Sequence, residues 1–168
     1  MQLFRVFAWL TLATTALAQN AWITVRSNEC GYTVKFPQQP NFRSDAVPQY
    51  AGGFRYSEYT IEEDHLILNV ICSEVPKGMT EAKLDLAKEE SAKTAHAKII
   101  SERKSKGARD LGVQGGEAQG RIKLFAVGKH YIQVIALVDD PQNLALVNKF
   151  VESFRLTPNR KPKQNATH

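Results

Sequence analysis

The segment 130–156 constrains the fold more than any other part of this sequence. His130–Val138 is a strand-length run of almost entirely apolar residues, which is typical of the buried centre of a sheet. Asp140 and Pro141 follow, and an aspartate N-cap with proline at the first helical position is a strong helix start. The predicted helix carries a continuous apolar stripe, formed by Leu144, Val147, Phe150, Val151 and Phe154. We therefore predict a central strand followed directly by the helix that is the main cover of the core.

The N-terminal half alternates apolar and polar residues with the period of half-buried strands. The alternation is clearest in residues 30–36, where Tyr32, Val34 and Phe36 share one face. The predicted strands are 30–36, 54–61 and 66–72. Because residues 62–65 form a polar connection of hairpin length, these strands are expected to form a meander.

A first helix is predicted from the N-cap Thr80 to about Ala97, with a narrow stripe of mostly small residues. Further strands are expected from Ile99, over 114–126 with a kink at a glycine, and after the Gly128 hairpin. The order ββ(β)αβββα predicts an α+β fold, an antiparallel sheet of about six strands with helices packed on it.

Residues 1–18 have the pattern of an export signal. Arg5 is followed by an apolar run that is too short to cross about 30 Å of hydrocarbon, and cleavage is expected after Ala18. An uncleaved N-terminal membrane anchor is the alternative. We predict one α+β domain over 19–156 and a disordered basic tail over 157–168, in which Asn165 begins a glycosylation sequon that matters only in a eukaryotic source. The protein is expected to be periplasmic or extracellular, with no transmembrane segment in the mature chain.

The excess of basic residues lies outside the predicted domain. The chain has 22 Lys and Arg against 17 Asp and Glu, but Arg5 belongs to the signal and Arg160, Lys161 and Lys163 belong to the tail. The domain is therefore nearly neutral, which together with export argues against a nucleic-acid partner. No glycine-rich phosphate loop follows any predicted strand, so no nucleotide cofactor is expected.

Two short motifs at the ends of the predicted domain resemble those of small exported PsbP-like (PsbP/DcrB-type) proteins. They are Tyr32–Phe36 followed by PQQP, and the closing FVESFRL of residues 150–156. The resemblance spans about residues 22–156. It implies an antiparallel sheet of about six strands between helices, in a group that mostly assists assemblies or binds partners and lacks a shared catalytic set. No residue here marks the photosystem role of the protein that gives the group its name.

Cys30 and Cys72 invite a disulfide, because the count is even and the compartment is oxidising. In a three-strand meander, however, the first and third strands run parallel. Cys30 is at the start of the first strand, whereas Cys72 is at the end of the third. This places them roughly 20 Å apart along the strands, well beyond the separation of about 7 Å between Cα atoms that a disulfide permits. The disulfide is therefore disfavoured, and two buried free thiols are expected.

The sequence shows no catalytic or metal-binding motif. His65, His96 and His130 are available as bases for a cysteine nucleophile, but both cysteines lie in or beside apolar strands. There is no G-x-S-x-G elbow, H-x-x-x-H or C-x-x-C. The acidic connection 62–65 offers oxygen and imidazole ligands, but it lacks the glycine and the spaced acids of an EF-hand, so a solvated turn is expected. We predict no catalytic residues, no metal and no cofactor.

Two segments are candidate binding surfaces. Four cations, Arg103, Lys104, Lys106 and Arg109, are expected near a strand end, where they would bind an anionic surface or partner or simply remain solvated. The connection 41–53 has too few apolar residues to form an element. Its aromatic side chains, with Phe42 and Tyr50 inside it and Phe54 just after it, either contact a partner or lie against the sheet edge.

These patterns favour an exported, non-enzymatic module that binds or assists an envelope or extracellular component. The alternative is a small extracytoplasmic hydrolase or lipid-handling protein whose site is assembled from distant residues. The first predicts a shallow surface without buried ionisable groups. The second predicts a deep pocket in which a histidine or carboxylate with a shifted pKa lies beside a nucleophile.

Overall fold

The computed structural model describes residues 21–46, 53–75, 77–116 and 118–157. The predicted signal 1–18 and the tail from residue 158 onward lie outside these ranges. The described elements are β1 Ile23–Ser27, β2 Tyr32–Phe36, β3 Asn41–Ala46, β4 Arg55–Glu63, β5 Leu66–Glu74, α1 Glu81–Thr94, β6 Lys98–Ser105, β7 Ala108–Gly115, β8 Ala118–Val127, β9 His130–Val138, α2 Leu144–Ser153 and β10 Arg155–Leu156. A 3₁₀ turn, Pro141–Asn143, leads into α2.

The strands form two antiparallel sheets. The large sheet has the order β3-β4-β5-β9-β8-β7-β6, and the small sheet has the order β1-β2-β10. The α+β class is therefore confirmed. The apolar strand β9 is the middle strand of the large sheet, as its sequence predicts.

The predicted strand number and order were wrong. The large sheet has seven strands instead of about six, and a separate sheet accompanies it. Five strands precede α1, and one of them, β3, lies in the connection that was expected to form no element. All six residues of β3 are exposed, so this edge strand has no apolar periodicity to reveal it. Its pairing with β4 defines it instead.

The small sheet and α2 cover one face of the large sheet. Tyr32, Val34 and Phe36 of β2 are fully buried, and they pack with α2 and with the inner residues of β5 and β9 in one core. Strand β2 was expected in a meander with β4 and β5, but it pairs with β1 and β10. Its apolar face thus lies across the core from β5.

Cys30 and Cys72 form a disulfide with 6.5 Å between their Cα atoms. The expectation of two free thiols was therefore wrong. It assumed that the strand after Cys30 and the strand containing Cys72 belong to one meander. Because β2 lies in the small sheet, Cys30, which precedes β2, can lie next to Cys72 near the end of β5. The bond is buried and joins the two sheets across the core.

Several local signals in the sequence are confirmed. The Thr80 side chain caps α1 by accepting a hydrogen bond from the Lys83 amide at 3.3 Å. The Asp140 side chain caps the 3₁₀ turn by accepting one from the Gln142 amide at 2.9 Å. Gly128, with φ of 59°, turns the hairpin between β8 and β9. Helix α1 ends at Thr94, earlier than predicted.

Candidate functional site

Helix α1 is attached to the large sheet by few apolar side chains. Its buried residues are Leu84, Ser91 and Ala92. It packs on β6, β7 and β8, over a second core formed by buried residues of β7 and β8 and by Leu137. Since this apolar contact is narrow, polar interactions between side chains also hold the helix in place on the sheet.

Arg109 on β7 provides the main polar attachment of α1. Its side chain is fully buried, and its guanidinium lies 2.7 Å from an Asp85 carboxylate oxygen and 2.9 Å from one of Glu81. It also donates to the carbonyl of Ala108 at 2.9 Å. Hydrogen bonds from Arg109 and Lys104 lower the pKa of Asp85 to about 2. The buried cation therefore anchors the first two turns of α1 to β7.

The structure does not bring the four predicted anion-binding cations onto one surface. Strand pleating places Lys104 on the α1 side of β6, where its ammonium lies 2.9 Å from Asp85, and it places Arg103 on the opposite side. Arg109 is buried among carboxylates. Lys106 is exposed in the turn before β7. The four cations therefore do not share one surface, because Arg109 and Lys104 are already paired with acidic residues of α1. Binding of an anionic partner by these residues stays a prediction.

A groove runs beside α1 along the two strands that the helix leaves uncovered. Its floor is formed by side chains of β5 and β9 that point to the α1 side of the sheet. They are Ile67, Ile71, Ile135 and Leu137, together with Tyr131 and Gln133. The middle of the groove is a cavity of about 390 Å³, with Ala87, Ser91 and Thr94 of α1 forming its wall. Among the described elements, none covers this floor.

A hydrogen-bonded cluster fixes the wall of the groove to its floor. The Gln133 amide nitrogen lies 2.8 Å from the Ser91 hydroxyl oxygen and 2.8 Å from that of Tyr131. The Ser91 hydroxyl donates to the Ala87 carbonyl at 2.7 Å. Burial raises the pKa of the Tyr131 hydroxyl. These neutral groups are satisfied by one another, so they position α1 beside the partly buried apolar side chains of the floor.

The groove continues into a polar end with a volume of about 550 Å³. There the His65 ring lies 2.7 Å from an Asp139 carboxylate oxygen, although these residues are far apart in sequence. The hydrogen bond to Asp139 is the main cause of a raised pKa of His65, and the negative charge of Asp139 adds to it. The same hydrogen bond lowers the pKa of Asp139. Glu62, Glu63 and Asp64 add three more carboxylates to this end.

His96 closes the same end of the groove in a left-handed conformation. Its φ is 50°, and its amide and that of Ala97 donate to carbonyls of the last turn of α1, as in a glycine-terminated helix. The turn rests on Gly115, where an added Cβ would lie 2.1 Å from the His96 carbonyl oxygen. Gly115 therefore allows the close approach that sets the end of α1 against β7.

Neither the cysteines nor Ser91 are free to act as nucleophiles beside the described histidines. Cys30 and Cys72 are joined in a disulfide, so neither offers a thiol to His65, His96 or His130. Ser91 is occupied by Ala87 and Gln133. Within the described ranges, no three His, Cys, Asp or Glu side chains are placed to hold a metal ion.

The aromatic residues of the predicted long connection do not converge on the groove. Phe42 lies on β3 and packs against Tyr59 with the ring planes tilted and 4.7 Å between ring centroids, on the face opposite to α1. Phe54 precedes β4 and is partly exposed. Tyr50 lies outside the described residues.

Sequence reasoning missed the groove, although its signal was present. The segments LILNVIC and HYIQVIALV are apolar at both alternating positions, which indicates strands with apolar side chains on both faces. Only α2 has a heavy apolar stripe, whereas the α1 stripe is small. These strands carry apolar side chains on both faces of the sheet, but only α2 has a stripe large enough to cover one face. The other face is therefore expected to be left partly open.

Comparison with known proteins supports the fold. No protein-family model matches the chain, and no curated protein matches it. In the described part of the chain, no helix is both long and apolar enough to cross a membrane. The solution structure of cyanobacterial PsbP (CyanoP) from Synechocystis sp. PCC 6803 matches with a TM-score of 0.53 and 17% identity, over 84% of this chain and 95% of that one. The chain therefore has a PsbP-like fold, as the two terminal motifs predicted.

Proposed function

We propose that this chain is an exported, non-enzymatic binding module whose ligand occupies the groove beside α1. The observation that carries this proposal is the floor of Ile67, Ile71 and Ile135, whose side chains line the groove and are only partly buried beside α1. Apolar side chains gathered in a concave site, with few polar groups at its edges, are typical of ligand pockets. Export, cleavage after Ala18 and a single domain over 19–156 are parts of the same proposal.

The geometry favours binding over hydrolysis. Cys30 and Cys72 are joined in a disulfide and the Ser91 hydroxyl is hydrogen-bonded to Ala87 and Gln133, so none of these three residues serves the His65 and Asp139 pair as a free nucleophile. His65 is largely exposed, with 73% of its side chain accessible, which does not fit a buried catalytic base. A lipid-handling role is the same proposal with a lipid as the ligand of the groove.

An uncharged fluorescent probe, N-phenyl-1-naphthylamine, tests the proposal without assuming the natural ligand. The mature protein should bind it with increased fluorescence. Ile71→Asp, which places a charge in the floor, should weaken binding at least about tenfold, because an unpaired charge must be desolvated under the probe. The matched control is Ile100→Asp on β6, since Ile100 is 64% exposed and lies outside the groove.

Thermal unfolding of both variants establishes that each is folded. Equal probe binding by the wild type and Ile71→Asp would contradict the proposal, as would equal weakening by Ile71→Asp and Ile100→Asp.

A further inference from the structure

The open groove has the dimensions of an α-helix. The floor from Tyr131 to Leu137 on β9 is about 20 Å long at the rise of a β-strand, which corresponds to about 13 residues of helix. The open face extends laterally from β9 over β5 to β4, and three neighbouring strands span about 10 Å at their usual spacing. This width matches one helix beside α1.

The apolar floor is narrow and has acidic side chains on both sides. Register places Glu58 of β4 beside Ile71 and Glu62 beside Ile67, on the face that carries the groove. On the other side, Glu90 of α1 lines the cavity. Since the apolar strip is flanked by negative charge, it complements a helix with one apolar stripe and basic flanks.

The charge of the groove favours a cationic ligand over an anionic ligand of comparable shape. Among the described residues that line its two cavities there are five carboxylate side chains and no lysine or arginine; the carboxylates are Glu62, Glu63, Asp64, Glu90 and Asp139. Nearby cations are turned to other partners. Arg43 on β3 lies over the Tyr56 ring, and the Lys83 ammonium lies 3.4 Å from the Gly78 carbonyl.

We infer that the occupant of the groove is a basic amphipathic helix of a partner protein. This inference rests on the proposed function and adds the class of ligand. The apolar stripe of the partner helix packs on Ile67, Ile71 and Ile135, and its lysine or arginine side chains meet the carboxylates on β4 and α1. The partner helix then lies next to α1 on the large sheet, as helix-in-groove recognition requires.

Three synthetic 18-residue peptides test the charge and the shape of the occupant. One is an amphipathic helix with a leucine stripe and lysine flanks. The second has the same leucines with glutamate in place of lysine. The third has the lysine peptide's composition in a scrambled order that disperses the stripe. We expect micromolar binding of the first peptide, with affinity falling as salt rises, and at least about tenfold weaker binding of the other two.

Two neighbouring residues of α1 provide matched charge variants. Glu90→Lys reverses a charge in the groove, whereas Glu89→Lys reverses one on the exposed side of the same helix. Glu90→Lys should weaken the lysine peptide about fivefold and should strengthen the glutamate peptide. Glu89→Lys should change either affinity less than twofold.

The outcomes separate this inference from the proposed function. If the naphthylamine probe binds and Ile71→Asp abolishes its binding, but the lysine peptide neither binds nor displaces it, the site takes a small ligand and the helix inference is overturned. Equal affinity for lysine and glutamate peptides, or equal effects of Glu90→Lys and Glu89→Lys, overturns it as well. If neither the probe nor a peptide binds in an Ile71-dependent way, the proposed function itself fails.

Discussion

Because His65 and Asp139 are hydrogen-bonded, the stability of the folded protein depends on whether each of these two side chains is protonated. Because the folded-state pKa of His65 is raised, its contribution to stability is complete below the ordinary value of 6.5 and is lost as pH rises through the raised value. Asp139 behaves in the opposite sense. Its lowered pKa contributes stability above the ordinary value of 3.8, which is lost as pH falls through the lowered value. The pair is thus fully effective between these two ordinary values.

Asp139→Asn should lower the pKa of His65, because it removes both the hydrogen-bonding carboxylate and its charge. The measurement is an NMR titration of the His65 ring protons in wild type and variant. Asp64→Asn is the matched control and should give a smaller decrease, since Asp64 acts on His65 by charge alone. An unchanged His65 pKa in Asp139→Asn would show that the contact does not form in solution.

Individual residues show which contacts sequence could reveal. Thr80, Gly128 and Asp140 act on neighbours within three residues, so their roles follow from local chemistry. His65 and Asp139 meet because register pairs Leu66 with Val138 across β5 and β9, and that register could not be deduced from either segment alone. The left-handed His96 was equally hidden, since glycine is the usual residue at such a helix end.

At the scale of elements, α1 is held by charge as much as by apolar burial. The Arg109 guanidinium is fully buried, while its partners Glu81 and Asp85 remain 49% and 39% exposed. Arg109→Met should lower the free energy of unfolding by about 2 kcal/mol, less than for a wholly buried pair, because the two carboxylates can rehydrate. Urea denaturation with the disulfide intact measures this change.

Arg103→Met is the control for loss of a cation from the same predicted cluster. Arg103 is exposed on the other face of β6, and its replacement should change the free energy of unfolding by less than about 0.5 kcal/mol. Equal effects of the two substitutions would contradict the anchoring role of Arg109.

The disulfide links the small sheet to β5 and closes a loop of 42 residues. Replacing both Cys30 and Cys72 by alanine should lower the free energy of unfolding by about 4 kcal/mol, because the unfolded chain regains the entropy of that loop. Urea denaturation of oxidised wild type and double variant gives the difference. Alkylation of both thiols in the unfolded, unreduced wild type, detected by mass, would instead show that the bond is absent.

The sequence predicted those strands in which buried and exposed residues alternate regularly, and it missed a strand in which they do not. The period of β2, β5 and β9 is visible because alternate residues enter the first core. Edge strand β3 is exposed throughout, and it became a strand only through pairing with β4. The assignment of β2 to the wrong sheet had the largest consequence, because it turned the cysteine separation into an argument against a disulfide that the structure contains.

The whole molecule is asymmetric about its large sheet. On one face, α2 and the small sheet form a continuous core with β5, β8 and β9. On the other face, α1 covers β6, β7 and β8, and the apolar side chains of β5 and β9 line a groove. Fold class and central strand were predictable from sequence. The groove depends on where α1 rests, which Arg109 and Gly115 determine through contacts distant in sequence.

The most direct test of the groove as the binding surface is a titration of the isoleucine methyl NMR signals with N-phenyl-1-naphthylamine. The groove predicts that the methyl signals of Ile67, Ile71 and Ile135 shift with saturating probe. Ile132, buried in the opposite core, and Ile100, exposed on β6, should remain within the spread of the unperturbed signals. Shifts confined to Ile100 and Ile132, with Ile67, Ile71 and Ile135 unmoved, would contradict the account.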